Sequence, residues 1–187
     1  MARRDEVLEA AIELLDEVGL DGLTTRRLAA RLGVQAGALY RHYPSKQALL
    51  DAMAGHLAGA APLGVDAAAD GPAALLRQAA IGAREGMLSH RDGARLLATF
   101  STPPAGAAAG FDMLTNALVA AGASHDKATI AVDTVFAYVN GFTIEEQARK
   151  IGTAPGTRAW PRELRDAAFL GGLDMLITGI EATLKAG

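Results

Sequence analysis

Residues 24–43, TTRRLAARLGVQAGALYRHY, place two short apolar patterns on either side of one glycine, and this spacing limits what the chain can build. Each pattern is only eight or nine residues long, too short to hold as an isolated helix in water. Both become stable only if their apolar faces meet across a tight turn at Gly33. Leu28, Ala29, Leu32, Val34 and Leu39 are the side chains spaced to make that dry contact. The predicted unit is a helix-turn-helix.

Helical spacing governs the rest of the chain as well. Val7, Leu8, Ala11, Ile12, Leu14, Leu15 and Val18 recur with a helical period over 4–18, and Gly19 follows as a stop. Thr24 or Thr25 caps the next helix. Gln35 to Tyr43 reads as a third helix stopped by Pro44, and Ser45 caps a fourth over 46–57. Residues 59–73, GAAPLGVDAAADGPA, read as a boundary. Helical patterns resume over 74–89, 91–100, 107–121, 125–150 and 163–185. The expected class is all-α, with a helix-turn-helix domain at 1–58 and a larger helical domain at 59–187.

Composition narrows the function. The chain has no cysteine, which excludes disulfides, thiolate metal sites and cysteine nucleophiles. The first residues show no apolar signal core, and charges such as Arg77, Asp133 and Asp174 interrupt every later apolar stretch. The expectation is a cytoplasmic protein with no membrane partner. His42, His56, His90 and His125 lack metal-ligand spacing, so no metal or other cofactor is expected. Ser89 and His90 are helix neighbours about 100° apart and do not form a catalytic pair. The sequence also has no phosphate-cradling glycine loop with its lysine. An enzyme is not expected.

Charge is unevenly placed. Net charge is −3, yet residues 22–50 hold Arg26, Arg27, Arg31, Arg41 and Lys46 with no acid at all. Such a local excess in an acidic protein is the footprint of a phosphate-binding face, or else of a solvated helix face. The second helix of the pair opens with Ala36, Gly37 and Ala38, whose small side chains let a backbone approach base edges and thymine methyls. Gln35 suits adenine, and Arg41 suits guanine or phosphate. Tyr40, His42 and Lys46 are donors for phosphate oxygens, and Thr25 and Arg26 complete the candidate DNA-contacting set. A helical adaptor or a bundle enzyme without DNA binding is the alternative.

The stretch AAIELLDEVGLDGLTTRRLAARLGVQAGALYRHYPSKQALLDAM resembles the N-terminal domain of the TetR family of bacterial transcriptional repressors, the match running over residues 7–53. MLSHRDGAR at 87–95 and FLGGLDMLITGIEATL at 169–184 resemble the second domain of its tetracycline-responsive members. The resemblance implies a homodimer on a palindromic DNA operator, joined through helices 125–150 and 163–185. Gly171, Gly172, Ile177, Gly179 and Ile180 would then supply the surface for close helix approach. It also implies a small-molecule effector that releases the DNA.

The chain departs from those members where they hold the drug and its magnesium. The magnesium-binding histidine falls on Leu97, the drug-contacting asparagine and phenylalanine on Ala79 and Ala83, and the glutamine near Leu114. Only a carboxylate, Glu145, is kept. The resulting wall is apolar and small-sided and implies a bulky, mostly hydrophobic ligand. Its candidate lining is Leu97, Phe100, Met113, Leu114, Leu118, Phe136, Asn140, Phe142 and Glu145.

Overall fold

A computed structural model describes residues 3–58, 67–99, 105–150 and 160–185, except for the side chains of 67–70, 105, 106, 150 and 185. These residues form helices α1 (Arg4–Gly22), α2 (Thr25–Arg31), α3 (Ala36–Leu39), α4 (Lys46–Ala58), α5 (Ala67–Leu88), α6 (Gly93–Leu97), α7 (Ala105–Ala120), α8 (His125–Lys150) and α9 (Arg162–Lys185). No strand occurs among the described residues. The chain divides into two compact units, one of residues 1–60 with 86–107 and the other of 61–85 with 108–187.

In the first unit, α1 runs straight to Gly19, where the backbone turns to φ +73. A side chain there would also meet the Asp92 carboxylate, so only glycine suits the position. The turn frees the Leu20 N–H, which donates to Asp92 at 2.8 Å. Asp16 accepts from the Arg91 N–H and pairs with His90, both at 2.9 Å. Residues 90–92 are thereby held to the end of α1. Val7, Ala11, Leu14 and Leu15 of α1, Leu28 of α2, Leu39 of α3, Leu49 and Met53 of α4, and Leu96 of α6 share one buried core.

The expected third helix, 35–43, is α-helical only over Ala36–Leu39. The chain then tightens, with the His42 N–H donating to the Leu39 carbonyl three residues back. Gly37 inside the turn and Pro44 just beyond it leave no stretch able to propagate a longer helix. The other boundaries lie within a few residues of expectation, except that α6 covers 93–97 rather than 91–100 and α5 begins at Ala67. Residues 59–66 of the expected boundary segment lie outside the described residues.

The second unit is built on the close pair α8 and α9. Val132, Val135 and Val139 of α8 and Phe169 and Leu173 of α9 are fully buried. Tyr138 donates to the Phe169 carbonyl at 3.0 Å and stacks on the Phe169 ring at 5.7 Å. Its hydroxyl lies where a Cβ on Gly172 would stand, so Gly172 serves this contact within the chain. Ile177 is also buried within the chain, while Gly179 faces outward. Of the five positions named for close approach between copies, Gly172 is thus occupied by Tyr138 of α8 and Ile177 is buried within the chain.

A buried ionic cluster ties in α5. Arg84 bonds Glu146 of α8 at 3.0 Å and Asp166 of α9 at 2.6 Å, and lies 4.7 Å from the centre of the Phe169 ring. Arg165 holds the second Glu146 oxygen at 2.9 Å. The Arg84 guanidinium keeps the Asp166 carboxyl below its usual range.

The outer faces differ. Ile130, Leu164 and Met175 are 64, 50 and 78% exposed. Residues 162–184 of α9 are long and apolar enough to cross a membrane by length and mean hydropathy, although only 17% of its most apolar 18 residues are buried and Asp174 and Glu181 interrupt them.

Glu146→Ala should destabilise the chain by about 3 kcal/mol, because it leaves two arginines without their shared carboxylate. That value is at the low end for a buried pair, since Asp166 still holds Arg84. Urea denaturation checks it; an unchanged midpoint contradicts the assignment.

Candidate nucleic-acid interface

The two short helices meet as their spacing requires. Leu28 and Ala29 of α2 and Leu39 of α3 are buried against each other, with Leu32 and Val34 packed partly into the same core. Thr24 caps α2 by accepting the Arg27 N–H at 3.2 Å, and Gly33 takes φ +65 at the turn. Ser45 caps α4 by accepting the Ala48 N–H at 3.0 Å.

Residues 40–43 split between two surfaces. Tyr43 is buried, donates to the Arg4 carbonyl at 3.3 Å and lies 5.2 Å from the Arg4 guanidinium. Together with Leu39 it anchors the outer helix. Tyr40 is 49% exposed, Arg41 is exposed and His42 is half-buried.

The first turn of α3 forms the rim of an open hollow lined by Val34, Gln35, Gly37, Ala38 and Arg41. Gln35, Ala36 and Gly37 are exposed and Ala38 is half-buried. A Cβ on Gly37 would meet nothing within 4 Å, so the smallness of this residue serves no packing inside the chain. It keeps the helix surface flat where another molecule would lie. Thr25 is half-buried at the start of α2, and Arg26 and Lys46 are exposed.

The basic residues are not equivalent. Arg31 bonds Glu13 at 2.8 Å and Glu17 at 2.7 Å, and these carboxylates raise its pKa further. Arg27 donates to the Gly22 carbonyl at 3.0 Å. Arg26, Arg41 and Lys46 form no ion pair among the described residues and are the cations available to phosphate. Two other acids of α1 are engaged elsewhere, Asp16 with His90 and Asp21 with Arg95. The excess of charge in the sequence therefore overstates the unpaired cations by Arg31, while Arg27 keeps its charge beside a neutral carbonyl.

The candidate ligand residues are spread over both units. Leu97 is half-buried and packs against the core of the first unit. Phe100 lies outside the described residues. In the second unit Leu114 and Leu118 are buried on the inner face of α7, whereas Met113 is 41% exposed. Phe136 is half-buried and Asn140 exposed. Phe142 joins an aromatic cluster, 5.7 Å from Tyr138 and 5.4 Å from Phe169. Glu145 is exposed and bonds Arg149 at 2.8 Å. The carboxylate turned inward is its neighbour Glu146. No group of three metal-ligating side chains occurs among the described residues.

Two family models match the chain. The model for bacterial regulatory proteins of the tetR family matches residues 7–53, and that for the tetracyclin repressor-like C-terminal domain matches 68–164. The tetracycline repressor protein class A from transposon 1721 of Escherichia coli is 38% identical, over 93% of this chain and 88% of that protein. The structure of TetR (class A) with 5a,6-anhydrotetracycline and magnesium has 37% identity and a TM-score of 0.78, covering 94% of this chain and 96% of the other. The structure of BioQ with its natural double-stranded DNA operator has 32% identity and a TM-score of 0.78, covering 97% and 99%.

The uneven cations give a direct test on duplex DNA. Lys46→Ala should reduce the slope of log affinity against log salt by about 1. Arg31→Ala should leave that slope in place, because its charge is already held by Glu13 and Glu17. Equal slope changes for both variants would contradict the distinction.

Proposed function

Because the chain belongs to the TetR family of bacterial regulatory proteins, we propose that its helix-turn-helix reads a two-fold symmetric operator and that a small, mostly apolar effector releases it. The protein is a DNA-binding transcriptional repressor and not an enzyme. It acts as a homodimer, so two reading heads face two half-sites, spaced about one helical turn of DNA apart in this binding mode. The exposed apolar side chains Ile130 of α8 and Leu164 and Met175 of α9 are the surface that a second copy would cover. Its DNA partner places its work in the cytoplasm.

One observation carries the DNA reading. The first turn of α3 is exposed, small-sided and bordered by Gln35 and Arg41, while Leu39 and Tyr43 fix it from behind. That is the arrangement a recognition helix needs to bring its N-terminal residues to base edges in the major groove. Ala36, Gly37 and Ala38 permit close approach, and Arg26, Tyr40, His42 and Lys46 supply donors for phosphate on either side.

The effector reading rests on chemistry. The relative described above holds 5a,6-anhydrotetracycline and magnesium. By the resemblance to that family, its polar contacts fall on Leu97, on Ala79 and near Leu114, and its phenylalanine on Ala83, which favours a ligand held mainly by apolar contact. Effector and operator are coupled because each favours one conformation of the dimer.

A gel shift with the intergenic DNA beside its own gene tests the assignment. The wild-type chain should retard such a fragment, and Arg41→Ala should weaken specific binding by roughly 1–3 kcal/mol. No shift at low salt, or an Arg41→Ala variant that binds like wild type, would overturn the recognition-helix assignment.

A further inference from the structure

Thr115, on α7, is 4% exposed, and its hydroxyl oxygen is buried with no hydrogen-bond partner. A helical threonine has a ready remedy, since its Oγ1 can donate to the carbonyl four residues back. Thr129, Thr134, Thr143, Thr178 and Thr183 all do so. Thr115 does not, and so its hydroxyl is turned away from its own helix and into the second unit.

Two further features bear on what it meets there. The side chains buried beside it on α7 are Leu114 and Leu118, with Phe111 half-buried one turn earlier. A structural water needs two to four polar partners, and this helix face offers it only one. The helix pairs whose backbones pack closely are α1–α2, α1–α4, α2–α3, α4–α6 and α8–α9, and α7 belongs to none of them. Its inner face is nonetheless covered, with Leu114, Thr115 and Leu118 only 3, 4 and 4% exposed.

An unpaired buried hydroxyl weakens a fold unless something else gains from it. We propose that Thr115 is the polar anchor of the effector site, its hydroxyl bonding a ketone or hydroxyl oxygen of an otherwise apolar ring compound seated against Leu114 and Leu118. The inference rests on the effector reading above and adds the one directional contact that an apolar wall lacks. Such a contact selects among ligands of equal bulk, because a compound without the oxygen leaves the hydroxyl unpaired.

The test uses the full chain on its labelled operator fragment, with 5a,6-anhydrotetracycline, menadione, naringenin and progesterone as probes, all of them ring compounds that carry a ketone oxygen. At least one should release the wild-type chain. Thr115→Val should raise the concentration for half-release of that probe by roughly tenfold, the equivalent of one hydrogen bond, and Thr115→Ser should restore it. Without any probe, Thr115→Val should raise Tm by about 2–4 °C, because it removes a buried unpaired group. Equal half-release by wild type and Thr115→Val overturns the anchor but leaves the effector reading intact. A fall in Tm shows that the hydroxyl has an internal partner, and likewise overturns the anchor. If none of the four probes releases the wild-type chain, the effector reading itself fails and the anchor with it.

Discussion

A helix of four residues has almost no stability of its own, and the reading of DNA by this chain depends on what holds α3 in place. Leu39 and Tyr43, one turn apart, provide that hold: one enters the core shared by α1, α2 and α4, and the other bonds the Arg4 carbonyl. Everything outward of them, from Gln35 to Arg41, can then be chosen for contact with another molecule instead of for folding. This explains why the outer turn tolerates Ala36, Gly37 and Ala38, residues that contribute little packing. It also explains why two tyrosines flank Arg41 and His42. Tyr43 works inward and Tyr40 outward.

Charge follows the same division of labour. Glu13 and Glu17 hold Arg31, and the Gly22 carbonyl holds Arg27, so the inner half of α2 is fastened to α1 by cations the sequence counts as free. Arg26, Arg41 and Lys46 are left for phosphate. In the second unit, Arg84, Glu146, Asp166 and Arg165 satisfy one another around Phe169 and connect α5, α8 and α9. Breaking such a cluster costs far more than an exposed pair, so it fixes the geometry of the two helices whose outer sides are proposed to meet a second copy.

The helical class, the helix-turn-helix and its dry contact were legible in the sequence, because a 3.6-residue period, a capping threonine and a turn glycine are local signals. The inward role of Tyr43 was legible too, from its four-residue spacing to Leu39. Other features were not. The pairing of Arg31 with α1 and the selection of Glu146 over Glu145 depend on which side of a helix meets a distant neighbour. Adjacent glutamates look alike in sequence, yet they point about 100° apart. The dual character of α9 is not legible for a related reason: Gly172 meets Tyr138 of α8 and Ile177 is buried, although they lie among residues that face outward. Thr115 carried no sequence signal, because only the buried, unbonded state of its hydroxyl marks it.

On the proposed reading, two copies of α3 enter successive major grooves on one face of a symmetric site. A methylation-protection footprint of the wild-type chain on its operator fragment tests it most directly. Two protected major-groove blocks should appear about one helical turn, roughly 10 base pairs, apart and related by a dyad. A single block, or even protection with no dyad, would contradict it.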